Sequence, residues 1–155
     1  FALLIPIISL WRNDVCFLLS GAEYRMGEFM LELLERGEIM ASNRGEVLVE
    51  HSFVGPSNYV DDILFGLQGR GFCPVLAHPE RYSFYAKDIV RYCERFKEKG
   101  GKVQVNILSF AGFYGKEAMM GARKLCNAAL ADYYAGDIHS LHQEILMEKY
   151  IGRAW

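Results

Sequence analysis

The sequence has no hydrophobic run long enough to cross a bilayer, although residues 1–10 are almost entirely apolar. That segment is followed by Trp11, Arg12 and Asp14, so it is much shorter than the roughly 20 residues that a spanning helix needs. It also lacks the basic start and the small-residue cleavage site of a signal peptide. We therefore predict that the chain does not insert into a membrane.

A surplus of positive charge is also missing. The chain has 17 Lys and Arg residues against 19 Asp and Glu residues, which gives a formal net charge of −2. This balance gives no general electrostatic reason for binding nucleic acid or an anionic membrane, although a local basic patch stays compatible with it. We therefore expect no nucleic-acid partner.

The sequence has few cysteines, and their spacing is not that of a metal site. The four are Cys16, Cys73, Cys93 and Cys126, and no two of them form a C-x-x-C pair. This spacing argues against a thiolate zinc cluster. Each cysteine has apolar neighbours, so the simplest interpretation is four small, buried residues in a reduced cytoplasm. We therefore expect a cytoplasmic protein.

Internal repeats, low-complexity tracts and flexible linkers are absent, and 155 residues suit one domain. What recurs is a short apolar run followed by an amphipathic stretch. The runs, predicted as strands, cover residues 15–19, 47–49, 74–77, 103–105 and 133–135. The amphipathic stretches, predicted as helices, cover residues 27–36, 59–67, 88–99, 116–130 and 141–150. This alternation predicts a parallel α/β fold. Five strands are too few for an eight-stranded barrel, so we expect an open sheet or a barrel that lacks one end.

Polar side chains that can bind metal follow the predicted strands. In parallel α/β folds the chemistry gathers at the carboxyl ends of the strands. The residues at or just after the five ends are Glu23, Glu50, His78, Asn106, and Asp137 with His139. Several carboxylates on one rim would repel each other unless cations held them together. A donor set of Glu, His and Asp without thiolate suits manganese, iron or zinc.

Two of these side chains also have an ordinary structural interpretation. Glu23 can favour the start of the following helix, and Asp137 can be the N-cap of the last helix. Alternation along a strand predicts that His51 points away from the site if Glu50 points into it. His142 is expected to be a solvated helix residue. Only the joint placement at the strand ends favours a metal site.

The most specific motif lies at residues 76–82, which have the sequence LAHPERY. It resembles the signature of the bacterial PHP-type tyrosine phosphatases of capsule and exopolysaccharide biosynthesis, the CpsB/CapC/YwqE family. Further stretches that resemble segments of this family are GAEY at 21–24, VLVE at 47–50 with Ser52 and Phe53 after it, QVN at 104–106 continuing to Ser109, Gly112 and Gly115, and GDIHS at 136–140. The resemblance extends from about residue 21 to the last helix.

This resemblance implies a distorted β/α barrel of the TIM-like PHP type, incomplete at its N-terminal end, with a cluster of up to three metal ions. The metal is usually manganese, with iron, zinc or magnesium as alternatives. The implied reaction is hydrolysis of phosphotyrosine on the tail of a partner bacterial tyrosine kinase that regulates capsule synthesis. The residues that the resemblance assigns are Glu23 as a bridging carboxylate, Glu50 and His78 as ligands of a second metal, Asp137 as a catalytic residue and ligand of the first metal, His139 as a ligand of the third metal, and Arg81 as the catalytic arginine that binds the substrate phosphate.

These residue types suit the implied chemistry. Clustered cations lower the pKa of a bound water and neutralise the phosphoryl oxygens as charge shifts in the transition state. An arginine adds a planar, permanently charged fork for phosphate. No cysteine nucleophile is needed, and the sequence lacks the C-x5-R loop of the cysteine phosphatases.

The sequence lacks two motifs with which the family begins, an H-x-H strand and a strand that ends in T-P-H. We therefore interpret residues 1–155 as a single PHP-like phosphatase domain truncated at its N terminus, with Phe1 in the helix before the family's third strand. Half of the first metal site and most of the third would then be missing, and turnover would be impaired. An unpaired edge beside residues 15–19 would favour self-association into a homo-oligomer.

Two alternatives stay open. One is an inactive or truncated PHP relative that binds metal or phosphotyrosine without turnover. The other is a PHP phosphatase for a different substrate, such as histidinol phosphate, although the string HPERY at 78–82 argues against it.

Overall fold

A six-stranded sheet forms the centre of the molecule, with the strand order β1-β2-β3-β4-β5-β6. The computed structural model describes the backbone of residues 3–10 and 16–154 and the side chains of residues 22–150. The strands are β1 (Leu3–Leu10), β2 (Cys16–Arg25), β3 (Glu46–Glu50), β4 (Cys73–Ala77), β5 (Lys102–Asn106) and β6 (Tyr133–Ala135). The helices are α1 (Glu28–Arg36), α2 (Val60–Gln68), α3 (Ile89–Glu98), α4 (Ile107–Phe110), α5 (Lys116–Asn127) and α6 (Leu141–Ala154), with 3-10 turns at Pro79–Arg81 and Ser83–Tyr85.

The five strands β2 to β6 are parallel, which confirms the predicted α/β class. Each parallel neighbour needs a crossover, and helices supply these connections. The four predicted strands after residue 40 coincide with β3 to β6 to within one residue at each end. Short apolar runs were sufficient to locate them because both faces of a parallel sheet are covered.

The N-terminal part differs from the prediction. Residues 3–10 form an additional strand that was not predicted, in keeping with the strand preference of the isoleucines in this segment. The strand β1 pairs with β2 in antiparallel fashion, from Leu3 opposite Glu23 to Leu10 opposite Cys16. The edge that we predicted to be unpaired beside residues 15–19 is therefore covered. Phe1 and Val15 lie outside the described residues.

The predicted barrel is not closed within the described part of the chain. The strands β1 and β6 approach each other to within 8 Å between Cα atoms. The ladder nevertheless runs from β1 to β6 without a pairing between these two end strands. The sheet is therefore curled, with an inner and an outer face, but it is not a complete barrel.

Side chains alternate between these two faces. On the outer face, Val47 and Val49 pack against Met30 of α1 and Ile63 of α2. On the inner face a small apolar cluster is formed by Leu48, Val75, Ala77 and Tyr133. A second outer cluster lies beneath α3 and α5 and includes Ile89, Cys93, Val103, Val105 and Leu125. Burial on both faces holds the strand ends, and hence the site, in fixed positions.

The amino end of the inner face is closed by a polar cluster. Lys102 Nζ donates to Glu46 Oε1 at 2.6 Å and to the Tyr133 hydroxyl at 3.0 Å. The Tyr133 hydroxyl in turn donates to Glu46. Because Glu46 is buried, pairing with a cation offsets its desolvation.

The described helices include none that is long and apolar enough to cross a membrane. The three cysteines whose side chains are described, Cys73, Cys93 and Cys126, are free thiols. Cys93 is buried as predicted, whereas Cys73 is half-buried and Cys126 is exposed. The prediction was wrong for Cys126 because apolar neighbours in sequence do not show which side of the helix α5 faces solvent.

Candidate active site

Three side chains with metal-binding groups lie together at the carboxyl ends of β2, β3 and β4. Glu23 pairs in register with Leu48, an inner-face residue, and Glu50 follows Leu48 by two positions, so both carboxylates lie on the inner face. Alternation from the inner-face Ala77 would place His78 on the outer face. A left-handed backbone conformation at His78, with φ of 35°, breaks this alternation, and the imidazole lies beside the two carboxylates.

The geometry of this trio suits a shared cation. His78 Nε2 lies 3.4 Å from Glu23 Oε1 and 3.9 Å from Glu50 Oε2. One ligand atom from each of the three residues lies within 4.8 Å of the others. Arg25 Nε donates to the second oxygen of Glu50 at 3.2 Å from the solvent side.

The electrostatics of the trio also suit a cation. Burial raises the pKa of Glu50, and the neighbouring Glu23 raises it further, because two close carboxylates disfavour each other's charge. His78 is almost fully buried, and its Nδ1 has no hydrogen-bond partner among the described residues. Two carboxylates and an imidazole without thiolate form a donor set that manganese, iron and zinc accept. The residues therefore fit a metal ion of this class.

A second group of side chains surrounds Asp137 at the end of β6. One Asp137 oxygen accepts from Arg81 Nη1, and the other lies 2.8 Å from His139 Nε2. Burial by itself would raise the pKa of Asp137, but His78, Arg81 and His139 hold it below its ordinary value. Asp137 also has a left-handed backbone, with φ of 46°. Asp137 is therefore ionised. It is not the N-cap of α6, because the residue directly before this helix is Ser140, whose hydroxyl accepts from the Gln143 amide at 3.3 Å.

Arg81 lies close to two aromatic rings beside Asp137. Its guanidinium carbon lies 4.1 Å from the ring centroid of Tyr114 and 5.1 Å from that of Phe53. The Tyr114 hydroxyl accepts from Gln143 Nε2 at 3.3 Å and from Asn106 Nδ2 at 3.4 Å. The position of the guanidinium is thus restricted by the Tyr114 ring and by the ion pair with Asp137.

The six predicted site residues all lie at the carboxyl edge of the sheet, but in two groups. Glu23, Glu50 and His78 form the candidate metal trio, whereas Asp137 and His139 pair with each other and with Arg81. Phe53 joins the groups because its ring stacks on His78 at 6.0 Å and also lies near Arg81. The metal roles of Asp137 and His139 stay predictions.

His51 faces away from the site, as alternation predicted. It is fully buried on the outer face, and its Nε2 lies 2.6 Å from the Tyr92 hydroxyl. Burial lowers the pKa of His51 to about 4, so this imidazole is neutral near pH 7. His142, on the exposed side of α6, is solvated as predicted.

Glu80 is a site residue that the sequence analysis missed. Its carboxylate is 4% exposed, and Oε1 accepts from the Asn106 amide at 2.9 Å and from Ser109 Oγ at 2.7 Å. Burial raises the pKa of Glu80 above its ordinary value. The carboxylate thus links the turn that carries Arg81 to the end of β5. An acidic residue in the LAHPERY motif was the available signal, but its partners lie 26 and 29 residues away in the chain.

Tyr82 was also missed, because a buried tyrosine looks like an ordinary core residue. Its hydroxyl accepts from the His51 amide at 2.9 Å and donates to the Ala77 carbonyl at 3.2 Å. These two backbone groups are the immediate neighbours of Glu50 and His78. One hydroxyl therefore sets the separation of the two strand ends that carry these ligands, and Tyr82 is a positioning residue.

We expect Tyr82→Phe to weaken manganese binding about tenfold to a hundredfold, the usual cost of losing a group that orients metal ligands. The fold should persist because the ring is kept. Calorimetric titration of the metal-free chain with manganese measures the effect. Tyr24→Phe is the matched control, since Tyr24 is also a buried tyrosine and, among the described residues, its hydroxyl accepts from the Met40 amide alone, at 2.8 Å. Equal manganese affinities for the two variants would contradict the positioning role.

The chain is similar in sequence to a known protein family and to curated proteins. A family model described as "Capsular polysaccharide synthesis, CpsB/CapC" matches residues 12–145. The chain is 30% identical over 124 residues to the tyrosine-protein phosphatase YwqE of Bacillus subtilis (strain 168), covering 79% of this chain and 48% of that protein. It is 27% identical over 133 residues to CapC of Staphylococcus aureus, covering 83% of this chain and 51% of that protein.

The fold is also similar to that of a solved structure. It comes from work on YwqE from Bacillus subtilis and CpsB from Streptococcus pneumoniae, described as metal-dependent tyrosine phosphatases. The TM-score is 0.68 at 27% identity, and the match covers 85% of this chain and 57% of that one. The chain thus spans about half the length of the curated relatives that it matches. With a family model matched over most of its length, the chain belongs to the CpsB/CapC family of capsular polysaccharide synthesis proteins.

Proposed function

We propose that this chain carries the metal-binding and phosphate-binding half of a metal-dependent phosphotyrosine phosphatase. The observation that supports this most directly is the trio of Glu23, Glu50 and His78 beside the restrained guanidinium of Arg81. Two similar proteins are described as metal-dependent tyrosine phosphatases. A cation site and a phosphate-binding arginine on one rim suit hydrolysis of a phosphate monoester.

Arg81 is the residue that would bind the substrate phosphate. Its Nη1 is occupied by Asp137, whereas Nε and Nη2 have no hydrogen-bond partner among the described residues. Because the pKa of Asp137 is low, its carboxylate stays charged and keeps the guanidinium oriented. The two free nitrogens then offer parallel hydrogen bonds to two phosphate oxygens.

The trio would hold one metal of the cluster, with Asp137 as a ligand of a second ion and His139 as a ligand of a third. Cations bound there would supply a water of lowered pKa and charge that neutralises the phosphoryl oxygens. Glu23 and Glu50 would provide carboxylate oxygens on the inner face, and His78 would provide Nε2. His78 Nδ1 is enclosed by protein, which leaves Nε2 as the nitrogen that faces the site.

The finer assignments belong to the same proposal. The metal is manganese, with iron, zinc or magnesium as alternatives. The substrate is a phosphotyrosine on the tail of a bacterial tyrosine kinase that regulates capsule or exopolysaccharide synthesis, and the reaction takes place in the cytoplasm. The match to a capsular polysaccharide synthesis family supports this setting. A homo-oligomer is a further proposal, although β1 covers the edge that first suggested it.

The test is release of phosphate from a phosphotyrosine peptide by the 155-residue chain, after removal of metal and again after addition of manganese. We expect manganese to raise the rate of phosphate release at least about a hundredfold, which is the usual effect of one electrostatic contribution on a rate. A phosphoserine peptide of the same sequence is the matched control. Manganese binding without turnover would favour the alternative of a metal- or phosphotyrosine-binding module. Turnover that is unchanged by chelation would contradict the proposal.

A further inference from the structure

Phe53 is a large apolar side chain that lies at the mouth of a charged site. It follows β3 by three residues, and 49% of its surface is exposed. Its ring is nearly parallel to the imidazole of His78, at 6.0 Å and 11°. The same ring lies 5.1 Å from the guanidinium carbon of Arg81. Phe53 therefore contacts both the candidate metal trio and the candidate phosphate-binding arginine.

The exposed part of this ring is not explained by packing of the core. The buried side of Phe53 contacts the Tyr82 ring at 5.5 Å, while the remaining surface faces solvent beside Arg81. The next residue, Val54, is 97% exposed, so this segment is not an apolar lid folded onto the protein. Covering an exposed aromatic surface with a second aromatic group lowers the free energy, because apolar surface is removed from water and the two rings attract each other.

The position of Arg81 determines where such a group would lie. Arg81 lies near the rings of Phe53 and Tyr114, and Asp137 holds its Nη1. Because the Phe53 ring lies 5.1 Å from the guanidinium carbon, a phosphate bound by the remaining nitrogens would bring its ester substituent within reach of this ring. The Tyr114 ring is contacted by the Arg81 guanidinium at 4.1 Å and by the Phe113 ring at 4.9 Å, so Phe53, which is 49% exposed, is the ring with surface available to a ligand.

We propose that Phe53 is a specificity-determining residue that contacts the aryl ring of the substrate and so favours aryl phosphates over small alkyl phosphates. This inference rests on the proposed function, because it assumes that Arg81 and the trio bind a phosphate monoester. It adds a reason for selectivity that the metal and the arginine do not supply, since both recognise only the phosphate group.

The test compares phenylphosphonate with methylphosphonate, two analogues that are not hydrolysed, by calorimetry on the manganese-loaded chain. We expect the unmodified chain to bind phenylphosphonate more tightly. Phe53→Leu should reduce the ratio of the two affinities about threefold to tenfold, the scale of an aromatic contact, and should leave methylphosphonate binding within twofold. Phe53→Trp should keep the preference, because it keeps an aromatic face. Phe65→Leu is the matched control, since Phe65 is an 80% exposed phenylalanine on α2.

The outcomes separate this inference from the proposed function. If the unmodified chain prefers phenylphosphonate and Phe53→Leu loses that preference while Phe53→Trp and Phe65→Leu keep it, the inference is supported. If Phe53→Leu keeps the full preference, or if it weakens both phosphonates equally, the inference is overturned and the proposed function is untouched. If the manganese-loaded, unmodified chain binds neither phosphonate, the proposed function fails and the inference fails with it.

Discussion

Replacing Glu50 with glutamine is expected to abolish manganese retention and to lower phosphate release about 10²- to 10³-fold, the loss seen when one electrostatic contribution to a transition state is removed. Glutamine keeps the size of the side chain and one oxygen, but it removes the negative charge. Glu23 would then be the one carboxylate left in the trio with His78. Elemental analysis after manganese loading and gel filtration should show metal at the background level for Glu50→Gln.

The stability of the metal-free chain distinguishes this effect from damage to the fold. The pKa of Glu50 is raised by burial and by Glu23, so the ionised carboxylate is held in an unfavourable place. Removing its charge should leave the thermal unfolding temperature of the metal-free protein unchanged or higher. Manganese should raise that temperature for the unmodified chain, because it binds the folded state, and should not raise it for Glu50→Gln.

Arg25→Gln is the matched control for this experiment. It breaks the same Arg25–Glu50 ion pair but leaves the carboxylate in place. Arg25 is largely exposed, so the pair itself contributes little, and this variant should retain its metal. Metal retention by Glu50→Gln, or equal loss of metal from both variants, would show that the trio is not the metal site.

The strand ends are the part of the site that the sequence could predict. Parallel strands share one carboxyl edge, so residues that follow short apolar runs converge there whatever the details of the fold. Strand alternation also separated Glu50 from His51 correctly, since one lies on the inner face and the other on the outer face. The first argument needs only the direction of the strands, and the second needs only the two-residue alternation of side chains along a strand.

The backbone at His78 could not be predicted in the same way. Alternation from Ala77 would turn the imidazole outward, and only a left-handed conformation brings it to Glu23 and Glu50. Such a conformation costs free energy in a residue other than glycine, and no local pattern announces it. Its place at a strand end and the family motif both identified His78, whereas the period of the strand alone would have excluded it.

The residues that support the site were missed for a related reason. Glu80 and Tyr82 make hydrogen bonds to groups 26 to 31 residues away in sequence. Nothing near either residue in the chain indicates such a partner. The strand β1 was missed because an apolar decapeptide suits a buried helix or a strand equally well, and length alone does not separate the two.

Replacing Arg81 with lysine is expected to weaken the binding of phosphate or vanadate by about 1–3 kcal/mol, the scale for a hydrogen bond to a charged group. This corresponds to a factor of roughly 5 to 150 in the inhibition constant. Lysine keeps the positive charge but offers a point charge instead of a planar fork. It cannot hold Asp137 and also present two parallel donors to a phosphate, as the free Nε and Nη2 of Arg81 can.

The competing explanation is that Arg81 serves only the ion pair with Asp137. The pair is largely buried, with 18% of the Arg81 side chain and 6% of the Asp137 side chain exposed, so its loss would lower stability in either case. The two explanations differ in the expected phosphate affinity, because Arg81→Lys weakens phosphate binding only if Arg81 contacts the phosphate. Inhibition constants and unfolding temperatures should therefore be measured together, with Arg91→Lys on the exposed side of α3 as the control. A lower unfolding temperature with an unchanged inhibition constant would assign Arg81 to the ion pair alone, because a purely structural arginine does not contact the phosphate.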